Sequence, residues 1–293
     1  MPGTPTAPSP LLPLVEALER EESLDPPGEA LAGAVRNVVH PGELRDLLSG
    51  TWLGHALHPL LTDVVIGSWT SATLLDLLGG DEADDAAARL IGVGIAAYPL
   101  TAATGVTDWA DAEPGNPRVR RVGLVHAATN SVALGLYSAS LVARRKGSRG
   151  RGKLLGLAGA AVLGAGGYLG AHLTFARGIG PNQTAYDEGP SDWTPTIDAA
   201  DLPPGEPRSC VVGETPVLLF RHGDGVHALH NRCSHRGCML SDGEVEGELV
   251  TCACHGSQFD LRDGSVQRGP ATVAQPVFEA RESGGRLEVR LAS

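Results

Sequence analysis

The chain has 293 residues, room for two domains, and a formal net charge of −11, which excludes a nucleic-acid partner because phosphate binding demands a basic face. Its mean hydropathy of −0.02 is high for a chain with 19% charged residues, and points to a membrane part averaged with a water-facing part. The five cysteines, Cys210, Cys233, Cys238, Cys252 and Cys254, all lie in the last third. Four of them fall within 22 residues among interleaved histidines, which argues for a metal site, with or without one disulfide, rather than a disulfide scaffold.

Residues 1–50 form a polar, net acidic arm. Leu11–Glu22, Glu29–Val39 and Glu43–Leu48 have the apolar spacing of short amphipathic helices, expected to be solvated or to lie on a membrane surface. Met1–Pro10 is rich in Pro, Thr and Ser and lacks the basic and apolar regions of a signal peptide.

Within residues 51–178, four apolar stretches follow: Leu60–Leu78, Leu90–Thr107, Val122–Ala143 and Leu154–Ala176. The last three contain no Asp, Glu, Lys or Arg, and the first has Asp63 and Asp76 only near its ends. A membrane helix needs roughly 17–25 apolar residues, so the expectation is a bundle of four transmembrane helices. Their Gly, Ala, Ser and Thr content lets helix backbones approach closely. Residues 179–192, with several Gly and Pro, read as a linker; if flexible, its ends would lie roughly 20 Å apart. Residues 193–293 change to short strands with Gly-rich turns: Val217–Phe220, Val226–Leu229, Leu249–Cys252, Ser257–Leu261 and Leu287–Leu291. The predicted fold class is therefore an all-α transmembrane bundle joined to a small all-β domain.

In the β part, Cys233-Ser-His235 is followed after sixteen residues by Cys252-Ala-Cys-His255. Two loops that each offer one Cys and one His suit a [2Fe–2S] cluster with two thiolates on one iron and two imidazoles on the other. By spacing alone they also suit a structural zinc ion. The flanking residues add more. Cys233-Ser-His-Arg-Gly-Cys238, Cys252-Ala-Cys-His-Gly-Ser-Gln-Phe-Asp260 and Gly269-Pro270-Ala271 closely resemble the Rieske iron–sulfur family over about residues 193–293.

The resemblance implies that Cys233, His235, Cys252 and His255 hold a Rieske-type [2Fe–2S] cluster. It implies that Cys238 and Cys254 form a disulfide between the ligand loops. Gly269 and Pro270 match the loop that covers the cluster, and Ser257 matches a serine that hydrogen-bonds a bridging sulfide. Phe259 stands where quinol-oxidising members usually have Tyr, so one hydrogen bond to the cluster is missing and a lower potential is expected. Cys210 is expected to be a buried strand cysteine, and His222, His227 and His230 to occupy surface or strand positions. Only 38 residues follow His255 and none is histidine, which leaves no place for an oxygenase's two-His-one-carboxylate iron.

Gly54-His-Ala-Leu-His58-Pro59, Thr104-Gly105 with Asp108, His126 with Asn130, and Gly167-Tyr-Leu-Gly170 with His172 resemble an uncharacterised family of four-helix bacterial membrane proteins. That resemblance carries no chemistry. With four helices, His55 and His58, Thr104 and Asp108, His126 and His172 fall at one membrane face, with nothing comparable at the other. His126 and His172 lie roughly 6 Å inside it at 1.5 Å per residue. Ionisable groups in membrane helices are costly and usually functional. His58, His126 and His172 are thus candidates for a haem b or a quinone site, against hydrogen-bonded structural histidines.

The functional expectation is one-electron transfer between quinol or a bundle haem and an unknown redox partner. The alternative is a membrane-tethered ferredoxin that passively supplies a separate oxygenase or reductase. The protein is placed as multi-pass in the bacterial cytoplasmic membrane. Arg144, Arg145, Lys146, Arg149, Arg151 and Lys153 crowd one interhelix loop, which with Arg89 gives seven basic residues near that face against five (Arg45, Arg118, Arg120, Arg121, Arg177) at the other. Basic loops stay cytoplasmic, so the β domain is expected on the outer face. Arg144-Arg145 ahead of the last helix loosely resembles a twin-arginine export signal.

Overall fold

The computed structural model describes residues 11–223 and 225–292; Met1–Pro10, Asp224 and Ser293 lie outside the described residues, and with them the reading of the N-terminus as lacking a signal peptide. The chain divides into two compact units. One comprises residues up to Val38 and His58–Ile179; the other joins Val39–Leu57 to Gly180–Ser293.

The first unit is all-helical. Its short helices α1 (Leu12–Arg20) and α2 (Asp25–Val38) precede four long ones: α4 (Leu57–Leu78), α5 (Asp84–Ala112), α6 (Pro117–Arg145) and α7 (Arg149–Ala171), the last extended by a π turn over His172–Ala176. The intervening α3 (Glu43–Ser49) belongs to the second unit. Trp69, Ile91 and Tyr137 are fully buried at the bundle centre, where Trp69 stacks on Tyr137 with ring centroids 4.3 Å apart.

Outward, the helices present apolar surface: Leu60, Val64, Leu74, Leu100, Val132 and Leu154 are exposed. In the most apolar window of α4 only 17% of residues are buried, the pattern of a helix solvated by lipid. Among the described residues three segments, Leu57–Leu78, Asp81–Ala112 and Arg149–Ala176, are long and apolar enough to cross a membrane. All four expected helices are present; α6 matches the others in length and falls short only in apolarity. The centre of α6 is free of charge, but Ser, Thr and Asn dilute its apolarity and Arg118, Arg120, Arg121, Arg144 and Arg145 flank it.

The N-terminal arm is not simply solvated. Arg121 holds Asp25 (2.5 Å), Arg120 holds Glu29 and Glu113 (2.6 Å each), and Arg36 reaches Glu113 at 2.7 Å. These bonds fix α2, and a further one from Arg121 to Glu19 O at 2.7 Å fixes α1, against α6 and the end of α5. The far end of the bundle is not empty of charge either. Arg144 turns inward between Asp76 and Asp84, all three side chains at most 5% exposed. The first arginine of the supposed export pair is therefore an internal strut.

Among the described residues the second unit carries ten strands in two antiparallel sheets. A six-stranded sheet runs β1-β10-β9-β4-β3-β2 and a four-stranded sheet runs β5-β6-β7-β8. The run Val217–Phe220 lies in β3 (Thr215–His222), where it is continuous because both faces are covered. Its alternate residues divide between two cores: Val217 and Leu219 with Leu287 and Val289, and Leu218 and Phe220 with Leu229, Cys233 and Cys252. Of residues 179–192, read as a linker, all from Gly180 onward belong to this unit and are pinned to it. Gln183 N–H donates to Ser234 O at 3.0 Å, the Thr215 hydroxyl donates to Asp187, and Leu291 N–H donates to Pro190 O at 2.7 Å.

Candidate metal centre and bundle histidines

Two loops of one design carry the candidate ligands. In residues 233–238 the Cys233 N–H donates to Cys238 O (2.8 Å) and Gly237 N–H to Cys233 O (2.8 Å). In residues 252–257 the Cys252 N–H donates to Ser257 O (2.8 Å) and Gly256 N–H to Cys252 O (2.9 Å). Gly237 and Gly256 take φ of +77° and +75°, a turn that disfavours any side chain, which explains the shared Gly after Arg236 and His255. A Cys238–Cys254 disulfide joins the two loops, as expected.

Cys233 and Cys252 are free and buried, and their sulfurs lie within hydrogen-bonding reach. The bond from Cys233 holds the Cys252 thiol down to about 6 against burial, helped by the N–H groups of Cys254 and His255. As donor, Cys233 is pushed up, although the N–H groups of His235 and Arg236 also point at its sulfur. The His235 and His255 rings are half-buried and meet edge to face with centroids 5.0 Å apart. Burial, then the charges of Arg236, His255 and Arg45, hold the His235 imidazole well below the usual histidine range. The donors thus come as a thiol pair and an imidazole pair. Such a division suits a two-iron cluster, one pair of donors to each iron.

Around the loops, Ser257 is fully buried and its hydroxyl accepts from Ala271 N–H at 3.0 Å, so its proton is free to point elsewhere. Phe259 is fully buried in the core that contains both cysteines, and the Gly269–Pro270 peptide is cis. Sequence reading missed three supports. The Gln275 side chain accepts from Ser234 N–H and donates to His230 O and Arg232 O, each at 2.8 Å, bracing the first loop from 41 to 45 residues away. His230 takes a strand position, as expected, and is fully buried; its Nδ1 accepts from Arg232 N–H, which leaves Nε2–H facing Asp187 at 3.1 Å. Burial raises the Asp187 carboxyl, and Thr215 and His230 more than reverse this, leaving it below the ordinary range. Third, Arg45 of α3 donates to His255 O at 3.0 Å. No local signal marks the Gln275, Asp187 or Arg45 contacts, because each reaches a partner distant in sequence. Cys210 lies half-buried in β2 (Arg208–Val212), and burial pushes its thiol up to about 11. His222 and His227 lie in β3 and β4 (Gly225–His230).

In the helical unit, the His58 Nδ1–H donates to Thr101 O at 3.0 Å and the His126 Nδ1–H to Gly166 O at 2.9 Å. A carbonyl can only accept, so each Nδ1 carries the proton and each Nε2 keeps its lone pair. Both rings lie flush on a neighbouring helix, since a Cβ at Gly105 would come within 2.5 Å of the His58 ring and one at Gly170 within 2.9 Å of the His126 ring. Asn130 Nδ2 sits 3.3 Å from both His126 ring nitrogens and makes its better bond to His126 O at 2.9 Å. His172 differs: its Nε2 meets Glu19 Oε1 at 2.8 Å. Burial raises the Glu19 carboxyl, but Arg177 and His172 outweigh it and hold it low. Between α4 and α7 runs an apolar groove of about 270 Å³ lined by Ile66, Thr70, Thr73, Ala160, Leu163, Gly164 and Gly167.

Comparison with known proteins agrees with this division. Residues 192–279 match the Rieske [2Fe-2S] domain and residues 54–183 a predicted membrane protein family, DUF2231. The ferredoxin subunit of anthranilate 1,2-dioxygenase from Burkholderia cepacia is 34% identical over 34% of this chain and 94% of its own. The cytochrome b6-f complex iron-sulfur subunit of Chlorobaculum tepidum is 26% identical over 32% of this chain and 51% of its own. Among solved structures, the ferredoxin of carbazole 1,9a-dioxygenase from Nocardioides aromaticivorans IC177 is 27% identical over 35% of this chain and all of its own, with a TM-score of 0.33. The chain therefore belongs to the Rieske [2Fe–2S] family and couples that domain to a DUF2231 membrane-protein domain.

Proposed function

We propose that the protein is a membrane-bound one-electron carrier whose cluster is held by Cys233 and Cys252 on one iron and His235 and His255 on the other. The observation that carries this reading is the pair of like-built loops, which bring two buried sulfurs and two half-buried imidazoles together under one disulfide. The cluster supplies reversible one-electron chemistry. The chain's part is to fix the ligands, aim N–H groups at both sulfurs, and leave the imidazole edges accessible.

The electron partner in the membrane is a quinol or a haem at His58 and His126. The fixed Nδ1 protons favour it, because each Nε2 offers a lone pair either to iron or to a hydroxyl proton. The apolar groove between α4 and α7 favours a quinone tail. His172 is left out of this site, since Glu19 takes its Nε2. The Rieske domain faces outward, a reading supported by the basic loop between α6 and α7 and by the disulfide, which persists in oxidising compartments.

An absorption spectrum and a quinol-reduction assay on the detergent-solubilised protein test the membrane half. A haem band lost in His126→Ala, or cluster reduction by a short-chain quinol that His58→Ala slows, is the expected result. With neither, the second reading holds: a membrane-tethered ferredoxin serving a separate oxygenase or reductase. The 34% identity to a dioxygenase ferredoxin subunit favours that reading.

A further inference from the structure

The segment between Val39 and Leu57 packs with the β domain, although it lies more than a hundred residues ahead of it. Its bonds go to the loops around the candidate cluster. Arg45, 5% exposed, donates to His255 O at 3.0 Å; Asp46 accepts from Gly269 N–H at 2.9 Å; the Thr51 hydroxyl donates to Ala271 O at 3.3 Å. The fit is close: a Cβ at Gly269 would lie 2.2 Å from Thr51 Oγ1.

Helix geometry separates this face from another. At 100° per residue, Arg45 and Ser49, both buried, share one side of α3, while Leu44 and Leu47 share the opposite side. Those two leucines are 49% and 54% exposed, and the following turn adds Trp52 at 63% and Leu53 at 41%. A soluble domain has no use for such a patch, and clustered exposed apolar side chains mark an interaction surface.

Chain continuity identifies the occupant. The span α4 starts at Leu57, four residues after Leu53, and four residues reach at most about 14 Å. Leu53 and Trp52 are therefore within reach of the headgroup region, where Trp is the favoured anchor and amphipathic helices lie flat. Glu43 and Asp46 give this segment no basic exposed face, so apolar insertion rather than anionic-lipid attraction drives the contact.

We propose that residues 43–53 form a two-faced clamp: Leu44, Leu47, Trp52 and Leu53 insert into the lipid interface, while Arg45, Asp46 and Thr51 grip the ligand loops and hold that end of the Rieske domain at the membrane surface. The lipid contact stands without the redox reading; only the second measurement below uses the cluster.

The full-length protein is reconstituted in nanodiscs with lipids brominated near the headgroup or deep in the chain. The Trp52 fluorescence is isolated as the difference between wild type and Trp52→Phe. Shallow bromines should quench that component strongly and deep ones weakly. A component quenched by aqueous acrylamide and untouched by either bromolipid overturns the lipid contact and leaves a protein partner for the patch. In oriented membranes the cluster's electron paramagnetic resonance signal should depend on the angle to the field, and Arg45→Ala should erase that dependence while Trp52 stays quenched. An orientation that survives Arg45→Ala overturns the grip.

Discussion

The β domain and the helical bundle both place histidines in pairs, but by different means. In the β domain each candidate ligand loop is six residues long and sets its own geometry through two internal hydrogen bonds and a glycine at positive φ. Ligand spacing is therefore written locally, and a short motif reads as chemistry. In the bundle, His58 and His126 sit on different helices, and each is oriented by a carbonyl 43 or 40 residues away. Nothing local distinguishes His126 from His172, yet the fold gives the first a lone-pair nitrogen and the second a carboxylate. A site distributed over helices is decided by packing; a site held in loops is decided by sequence.

The sharpest way to break that contrast is to remove one ligand. Cys233→Ser or His255→Ala should abolish the low-average-g resonance of the reduced protein while the bundle stays folded. Stoichiometric zinc in place of iron in fresh wild-type protein would undo the assignment. On the bundle side the largest effect should come from Arg144, whose removal leaves Asp76 and Asp84 buried without their cation. Arg144→Met should cost about 3–5 kcal/mol, measured by denaturant titration in detergent. The β-domain resonance should persist, since the strut lies in the other unit.

A smaller loss is expected from Cys238→Ser. Removing a cross-link between residues 16 apart should destabilise the β domain by about 3 kcal/mol in denaturant, with the cluster ligands still present. Subtler still are changes around the cluster. Ser257→Ala should lower the reduction potential and Phe259→Tyr should raise it, because hydrogen bonds favour the electron-rich reduced state. Protein-film voltammetry reads both, and a shift of opposite sign in either would sharpen where the hydroxyls point.

The smallest effect concerns pH. Asp187 is held below its ordinary value of 3.8, so it stabilises the folded domain above that pH. The contribution falls away as pH drops through the lower folded value, where the native carboxylate finally takes its proton. Asp187→Asn should flatten the stability profile of the β domain in that acid range, and an unchanged profile would remove Asp187 from the support of His230.

Much was legible beforehand. Val217–Phe220 read as a strand, four long helices followed from four apolar runs, and the residues flanking the Cys and His motifs carried the resemblance that implied the Cys238–Cys254 disulfide. Each rests on contacts between near neighbours or on a residue's preference for water or lipid, which the sequence states directly. The tertiary structure decided the rest. It pinned residues 180–192 to the β domain, docked α1 and α2 through Arg120, Arg121 and Arg36, and turned Arg144 inward. It also seated Arg45 and Asp46 against His255 and Gly269, 210 and 223 residues away. Those pairings depend on which surfaces meet once the cores have formed, and a buried charge or a bonded carbonyl acquires its partner only then.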